Sequence, residues 1–445
     1  MKSGIQYLLL IFVFAISGCT TQHENDATPG ADAMTDSAPT SEPATQPREL
    51  NMETAAQQAN DFAANFYGEV AKEEAGNLFF SPLSIHSALS MTFAGSAGET
   101  AKQMGSVLSF DYSPTEGIEH HAYSLMLQAI NTVPVVRFES FESEKRRTVE
   151  RPAFDLVLAN RLWGQEGFPW NPGYLQTAKR QYMAGLEEVG FRSDPDSARK
   201  IINAWVEETT RDRIKDLIPS GALNELTRLV LTNAIYFKAN WNESFAENDT
   251  TNQPFFLSDG GQVDVPLMTQ TDHLNYHESD DWQMVELPYE LKALSMLLVL
   301  PEDNEGSMAR VEAQLASGQL LEELKALERT RVELWMPKFS QTQELDLNST
   351  LSAMGMPVAF TDRADFSGMS PDSNLYLSKA LHKAFIEVDE KGTEAAAATA
   401  AIVSFTSAPP PETPKVFRAD RPFLYIIHHN ATGAILFMGR VTDPR

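Results

Sequence analysis

The feature that most constrains the fold is a run of small residues near the carboxyl end of the chain. Residues 393–401 read Thr-Glu-Ala-Ala-Ala-Ala-Thr-Ala-Ala, and Gly392 directly precedes them. Alanine has the highest helix propensity of all residues, so propensity alone predicts a helix. However, Ile402 and Val403 end the run, and prolines follow at positions 409, 410, 411 and 414, through which no helix continues. The composition therefore needs another explanation.

An extended strand accounts for the order of these residues, because side chains alternate between the two faces of a strand. Glu394, the only charged residue of the run, falls on the outward face. No proline interrupts residues 392–404, and a proline would remove a hydrogen-bond donor from a central strand. The pattern predicts a segment that can enter the middle of an existing sheet, rather than a flexible linker. The inward residues, all uncharged and either small or β-branched, are Thr393, Ala395, Ala397, Thr399, Ala401 and Val403.

The chain from residue 51 onwards contains helical patterns first and strand-like patterns later. Apolar residues at helical spacing predict helices over residues 55–70, 84–93 and 197–210. After Leu226, short β-rich segments predominate, and this change indicates an α+β fold with large antiparallel or mixed sheets. The charged stretch 137–151 is predicted to be a surface loop. The predicted strands are residues 229–237, 283–287, 294–300, 331–336, 384–388, 423–428 and 435–441.

The amino-terminal segment predicts export. Lys2 is followed by an apolar run, residues 7–16, and then by two small residues, which is typical of a signal peptide. The run is shorter than the roughly 20 residues that a membrane-spanning helix needs. The sequence Ile-Ser-Gly-Cys at residues 16–19 resembles the lipobox of bacterial lipoproteins, in which the cysteine, here Cys19, is acylated. The alternative is an ordinary cleaved signal with an incidental cysteine.

The lipobox resemblance implies three parts of the chain. Residues 1–18 would be a lipoprotein signal peptide, residues 19–50 a lipidated Cys19 with a flexible tether rich in Pro, Ser, Thr and Ala, and residues 51–445 one folded domain. We therefore expect an exported protein that a lipid anchors at the cell envelope, at the outer membrane or the cell surface.

Composition and motifs argue against an enzyme, a metalloprotein or a nucleic-acid-binding protein. The formal net charge is −26, whereas nucleic-acid binding needs a basic surface. A single Cys excludes an internal disulfide and a Cys-rich zinc site. The sequence contains no nucleophile elbow, phosphate-binding loop, dinucleotide-binding motif or HExxH motif. We expect no catalytic residue, no metal and no cofactor, and a monomer.

Two histidine pairs are interpreted as ordinary structural residues rather than metal ligands. His273 and His277 are four residues apart, but the flanking acids and a predicted hairpin favour surface positions. His428 and His429 are adjacent in a predicted strand, so their side chains point to opposite faces and cannot bind one ion.

Ordered matches across residues 51–445 give a resemblance to the serpin family. Besides residues 387–403, the matching motifs include NLFFSPLSI at 77–85, GSAGET at 95–100 and LTNAIYFK at 231–238. The resemblance implies helices packed on three β-sheets, with a large central sheet and an exposed reactive-centre loop. It implies an inhibitor of serine, or of cysteine, endopeptidases that acts as a suicide substrate. The protease would form an acyl-enzyme with the loop, and the loop would insert into the central sheet before deacylation.

The same resemblance assigns the hinge and the bond that the protease cuts. The family spacing of seventeen residues, counted from Glu390, ends at Thr406, so the reactive bond would be Thr406-Ser407. A register one residue shorter would cut Phe405-Thr406 instead. A threonine before the cut suits the small pocket of an elastase- or subtilisin-like protease, whereas Phe405 suits a chymotrypsin-like pocket. The implied hinge residues are Glu390, Gly392, Thr393, Glu394, Ala395, Ala396, Ala397 and Ala398.

By the same resemblance, a polar group controls the opening of the central sheet. Its residues would be Ser81, Ser84, Asn233 and His382, with Trp241, Lys338 and Glu390 near the place where insertion begins. The alternative function is that of a non-inhibitory serpin, which would act as a surface binding or chaperone-like protein. The expected partners are a target protease and, through Cys19, a membrane.

Overall fold

The computed structural model describes residues 51–110, 117–142, 145–303, 306–371, 375–393 and 413–445. These residues belong to one unit, Glu49–Arg445. Cys19, the predicted signal peptide and tether, hinge residues 394–398 and the residues of the two candidate reactive bonds lie outside the described residues.

Local sequence signals set where several helices begin. Asn51 accepts a hydrogen bond from the backbone of Thr54 (3.0 Å) at the start of the first helix. Ser81 does the same for Ser84 (3.2 Å) at the start of the second, where Pro82 occupies the first helical position. Within the described residues the helices are α1 (Met52–Glu73), α2 (Pro82–Phe93), α3 (Gly98–Val107), α4 (Gly117–Asn131), α5 (Pro172–Gln181), α6 (Pro195–Thr209), α7 (Ser307–Ala316), α8 (Gln319–Glu322) and α9 (Leu347–Ala353).

The strands form three sheets of nine, six and two strands among the described residues. They are β1 (Leu78–Phe80), β2 (Val135–Glu142), β3 (Lys145–Pro152), β4 (Phe154–Gln165), β5 (Leu186–Val189), β6 (Leu229–Asn240), β7 (Thr251–Phe256), β8 (Gln262–Glu278), β9 (Trp282–Pro288), β10 (Leu294–Pro301), β11 (Glu328–Pro337), β12 (Phe339–Asp346), β13 (Lys379–Val388), β14 (Gly392–Thr393), β15 (Lys415–Arg418), β16 (Phe423–His429) and β17 (Ile435–Val441).

The six-stranded sheet is the central one, with the order β12-β13-β14-β6-β4-β5. The pairs β13–β6 and β4–β5 are parallel, and the others are antiparallel. The sheet is therefore mixed, as the α+β prediction allowed. The nine-stranded sheet contains β16 and β17, whose sequences are apolar and almost entirely buried.

Side chains of the central sheet divide between two cores, because neighbouring residues of a strand face opposite ways. On the inner face, Phe237 contacts Phe437 of the nine-stranded sheet, with ring centroids 5.3 Å apart. On the outer face, Val230 and Ala234 share a separate apolar cluster with Ile202 of α6. Helix α2 is buried along its whole length, which agrees with the absence of Asp, Glu, Lys and Arg from its sequence.

The predicted helices and strands are confirmed, with boundaries that differ by a few residues, but two expectations are wrong. Strands do not begin only after residue 226, because β4 is a central strand that precedes it. The stretch 137–151 is not a loop but most of the β2–β3 hairpin. Its many charged residues obscured the strand signal, although charges of opposite sign can pair across strands, as Arg137 and Glu150 do here (2.7 Å).

Both histidine pairs lie in strands, His273 and His277 in β8 and His428 and His429 in β16. His273 is exposed and His277 is half-buried on β8. No group of three or more potential metal-ligating side chains occurs within the described part of the chain.

Among the described helices, none is long and apolar enough to cross a membrane.

Candidate functional site

One end of the central sheet is forked. Strands β6 and β13 pair directly over six rows, the last of which joins Ile235 to Ala384. Four rows further on, Thr393 of β14 lies between the two strands and pairs with both Ala239 and Val388. The three rows in between hold no strand among the described residues. We call this gap the fork, and we name each row after its β6 residue.

Gly392 can lie against β6 next to the fork because it has no Cβ atom. A Cβ atom at this position would lie 2.1 Å from the carbonyl oxygen of Ala239 and 2.6 Å from Cα of Asn240. The turn before it is closed by Asp389, whose carboxylate accepts the backbone N–H of Gly392 (3.2 Å), while Gly392 O accepts the N–H of Asp389 (2.9 Å). A side chain here would force the backbone out of the sheet, which explains the glycine of the predicted hinge.

Thr393 is completely buried against two stacked aromatic rings. The hydroxyls of Thr393 and Tyr289 are 2.7 Å apart and form a hydrogen bond. The Tyr289 ring stacks on Trp241, with centroids 4.5 Å apart and planes 13° from parallel. The indole N–H of Trp241 in turn donates to the backbone oxygen of Asp389 (2.9 Å). Thr393, the first residue of the predicted inward set, thus has a hydrogen-bond partner for its hydroxyl group and lies beside aromatic side chains.

Glu390 anchors the turn to the neighbouring sheet. Its carboxylate accepts hydrogen bonds from Lys338 Nζ (2.8 Å) and from the hydroxyl of Thr250 (2.9 Å), and its backbone oxygen accepts the N–H of Phe245 (2.8 Å). Burial acts to raise the pKa of Glu390, but the hydrogen bonds from Lys338 and Thr250 outweigh it and leave the pKa below its ordinary value. The ionised carboxylate therefore stabilises the folded hinge.

A second polar cluster lies six rows from Thr393, in the directly paired part of the sheet. His382 Nε2 accepts the backbone N–H of Ser81 (3.2 Å), so its Nδ1 carries the proton and donates to the side-chain oxygen of Asn233. Complete burial lowers the pKa of His382 to about 3. The imidazole is therefore neutral at physiological pH, and this cluster joins β6 to β13 without any charge.

The other residues of this cluster also have hydrogen-bond partners. Asn233 donates to Ser84 Oγ (2.7 Å) and to Asn160 Oδ1 (2.6 Å), and Asn160 donates to the backbone oxygen of Ser84 (3.1 Å). Ser81 Oγ donates to the backbone oxygen of Leu436 (2.6 Å). A buried network with every partner present is rigid, whereas loss of one partner leaves a costly unpaired group.

The structure brings the predicted residues together in two groups. Ser81, Ser84, Asn233 and His382 form the cluster just described. Trp241, Lys338, Glu390, Gly392 and Thr393 surround the fork. The remaining hinge residues, Glu394 and Ala395 to Ala398, and Phe405, Thr406 and Ser407 lie outside the described residues.

Sequence reasoning missed three residues of these groups. Asn160 is a polar residue on the inner face of β4, where the alternating residues Leu156, Leu158 and Leu162 are apolar, so the pattern carried a signal. No sequence signal marked Tyr289 and Asp389, because their roles depend on residues that are distant in sequence. Tyr289 contacts Thr393, and Asp389 contacts Trp241.

Comparisons of the whole chain with known proteins find similar sequences and a similar fold. A family model described as "Serpin (serine protease inhibitor)" matches residues 57–444. The human leukocyte elastase inhibitor is 38% identical over 83% of this chain and 94% of its own length. An uncharacterized serpin-like protein of Thermococcus kodakarensis is 37% identical over the whole of both chains. Uncleaved ovalbumin, a solved structure, is 30% identical with a TM-score of 0.75 and covers 88% of this chain and all of its own.

The pKa of Glu390 makes a prediction about pH. Because this pKa is depressed in the folded state, its stabilising effect is present above the ordinary carboxyl pKa of about 4.3 and is lost as the pH falls through the lower folded-state value. The change Glu390→Gln should therefore lower the melting temperature by several degrees at pH 7 and by progressively less below about pH 4. Thermal unfolding of both proteins from pH 3 to 8 measures this.

The control for this experiment is Glu387→Gln, which removes the same charge from β13 three residues earlier. An equal pH dependence in the two variants would contradict a specific role for the Glu390 carboxylate.

Proposed function

The chain belongs to the serpin family, and on that premise we propose that it inhibits serine, or cysteine, endopeptidases as a suicide substrate. The protease cuts Thr406-Ser407, or Phe405-Thr406 in the shorter register, and forms an acyl-enzyme. The freed segment after Gly392 then inserts into the central sheet before water completes the reaction. The proposed targets are elastase- or subtilisin-like proteases, because Thr406 suits a small primary pocket.

The observation that carries the proposal is that Thr393 already pairs with both β6 and β13 next to the fork, and that Gly392 pairs with β6. In an antiparallel pairing the sum of the two residue numbers is constant, so the Thr393–Ala239 register extends along both strands. It assigns residues 394, 395 and 396 to the three rows of the fork. A strand in these three rows replaces no β6–β13 pair, because direct pairing ends at Ile235 and Ala384.

Beyond residue 396, insertion must replace the direct β6–β13 pairs. Residues 397–402 would occupy the six rows that now pair in parallel, and each would pair on both sides. About ten inserted residues form roughly twenty ladder hydrogen bonds while about six are lost, and each is worth about 1 kcal/mol net. The gain is on the order of 10 kcal/mol, which is comparable with the whole stability of an ordinary domain.

The extended register also places the one polar side chain of residues 395–401 where a polar partner is needed. Residue 399 falls in the Asn233 row, opposite both Asn233 and His382. Insertion must break the hydrogen bond between these two side chains. The hydroxyl of Thr399 faces inward in this register and can replace the lost partner, and this match supports insertion along the whole sheet.

Insertion accounts for trapping through displacement of the protease. An inserted segment of about ten residues is roughly 33 Å long, so a protease attached to Thr406, or to Phe405 in the shorter register, is pulled along the sheet. A displacement of its catalytic groups by even 1 Å slows deacylation strongly. The inhibitor is consumed in one reaction.

The first prediction from this proposal concerns a covalent product. Incubation with an elastase-like or subtilisin-like serine protease should give an SDS-resistant complex of the two proteins. A protease variant with the catalytic serine changed to alanine should give none, because it cannot form the acyl-enzyme. The loop-cleaved protein should melt well above the intact protein, and mass spectrometry of the released fragment should find Ser407 at its start. A start at Thr406 would assign the shorter register.

Cleavage across a panel of such proteases with no adduct and no rise in melting temperature would contradict inhibition. That result would favour the non-inhibitory alternative, a surface binding or chaperone-like protein.

A second prediction tests the buried position of Thr393. The change Thr393→Arg places a charge against Tyr289 in a completely buried position, and burial of an unpaired charge costs several kcal/mol. The variant should be cleaved at the wild-type rate but released as a substrate, so that its stoichiometry of inhibition rises at least tenfold. The matched control Thr393→Val keeps the shape and should still inhibit. Full inhibition by Thr393→Arg would refute strand insertion at this position.

We further propose that Cys19 is acylated and anchors the protein to the cell envelope, because residues 16–19 resemble a lipobox. Cells that express the protein should incorporate radioactive palmitate into it, and Cys19→Ser should abolish the label. Equal labelling of both proteins would refute an anchor at Cys19.

A further inference from the structure

A segment on the outer face of the central sheet crosses the boundary between β6 and β13. This segment, residues 211–216, follows α6, and we call it the strap. The guanidinium carbon of Arg211 lies 5.5 Å from the ring centroid of Tyr236 on β6, and that of Arg213 lies 5.6 Å from the ring centroid of Phe385 on β13. Tyr236 and Phe385 share the first row of the fork. The strap thus spans the boundary at the point where direct pairing ends.

One end of the strap is fixed to the β4–β6 side of the sheet. Arg211 makes two hydrogen bonds to the carboxylate of Asp155 on β4, at 2.7 and 2.9 Å. Ile214 is buried in the apolar cluster that α6 forms with β4 and β6. The hydroxyl of Thr210, at the end of α6, accepts the backbone N–H of Ile214 (3.2 Å). The strap therefore belongs to the half of the sheet that carries α6.

The other contacts of the strap reach across to β13. Besides the Arg213–Phe385 contact, Lys383 Nζ donates to the backbone oxygen of Lys215 (3.0 Å). Both join a residue of the strap to a residue of β13, on the far side of the boundary.

The backbone of the strap is held in an uncommon conformation. Arg211, Asp212 and Asp216 have φ values of 54°, 62° and 49°, in the left-handed region that residues other than glycine rarely adopt. Such conformations persist only where surrounding contacts impose them. The strap is therefore a constrained connection and not a slack loop.

Entry of a strand between β6 and β13 must stretch the strap. Each inserted strand separates its neighbours by about 4.8 Å, whereas a cation–π contact extends only to about 6 Å. After insertion, the residue in the Tyr236 row, which the register assigns to Ala396, would lie between the strands that Arg211 and Arg213 contact. The next residues enter only if β13 moves away from the strap, and this breaks the Arg213–Phe385 contact.

We propose that the Arg213–Phe385 contact is a tie across the boundary that slows insertion past residue 396. It thereby sets the fraction of acyl-enzyme that is trapped rather than hydrolysed. This inference rests on the proposed inhibitory function. Arg213 and Phe385 are positioning residues in it, since they act on the opening of the sheet and not on the reacting atoms.

The test compares Arg213→Ala, Phe385→Leu and the double variant with the wild type. The probe is a synthetic peptide with the sequence of residues 393–404, and the first measurement is the rate at which it anneals to the uncleaved protein. Each single variant should accelerate annealing about two- to fivefold, the rate equivalent of one lost exposed cation–π contact. The double variant should be no faster than the faster single variant, because both changes remove the same contact.

The second measurement is the stoichiometry of inhibition with a protease that hydrolyses part of the wild-type inhibitor. This value should fall towards one in the variants, while the rate of acylation stays unchanged. A purely structural effect would lower the melting temperature without this separation of acylation and trapping.

The matched control is Arg211→Ala. It removes an arginine with an ion pair and a cation–π contact, but both contacts lie on the β4–β6 side of the boundary. It should leave the annealing rate unchanged. Equal acceleration by Arg211→Ala and Arg213→Ala would overturn the proposal, since it would show general loosening of α6.

The outcomes separate this inference from the proposed function. If the cleaved wild type shows no rise in melting temperature and no adduct, the proposed function fails. If the wild type traps a protease but both single variants anneal and trap at wild-type rates, only the role of the strap is refuted.

Discussion

The direct pairing of β6 with β13 is the interaction on which the rest of the structure depends. These strands run parallel, and six rows join them. A strand that runs antiparallel to both would pair with each of them, and antiparallel pairing is slightly more stable per residue than parallel pairing. Direct pairing therefore joins β6 to β13, but it is less stable than the pairing that both strands would make with one more strand between them. The described structure already contains two residues of such a strand in β14.

The features around the boundary act on this pairing at different rows. Gly392 and Thr393 occupy the open end, where the absence of a Cβ atom and a buried hydroxyl fit the space. The His382–Asn233 hydrogen bond joins the same two strands six rows away, and the strap crosses the boundary between these places on the outer face. Under the proposed function, the entering strand first breaks the strap contact with β13 and then the His382–Asn233 hydrogen bond. The rate of insertion, and with it the outcome for the protease, then depends on these local contacts as well as on the total gain in free energy.

Sequence patterns predicted the regular elements well where periodicity was strong. The helix over residues 55–70 and the strands in the last third of the chain were found because apolar residues recur at 3.6- or 2-residue spacing in them. Charged residues concealed the β2–β3 hairpin, where Arg137 pairs with Glu150 across the two strands. Strand β4 was missed although it is central, because its inner face contains Asn160 among leucines and its outer face contains Arg161, which stacks on Trp205 of α6 at 4.3 Å. In β4 these polar side chains have partners that are distant in sequence, such as Ser84 and Asn233 for Asn160.

By itself, the sequence determined that residues 392–403 can form a central strand, because alternation, small side chains and the absence of proline are local properties of the chain. It also indicated most of the residues that surround the fork and the polar cluster. Only the tertiary structure decided how many rows join β6 directly to β13, which residues share a row, and that Tyr289, Asn160 and the strap take part. These depend on the register between strands more than 100 residues apart in sequence, and no local pattern specifies that register, since it follows from how whole faces of the sheet pack.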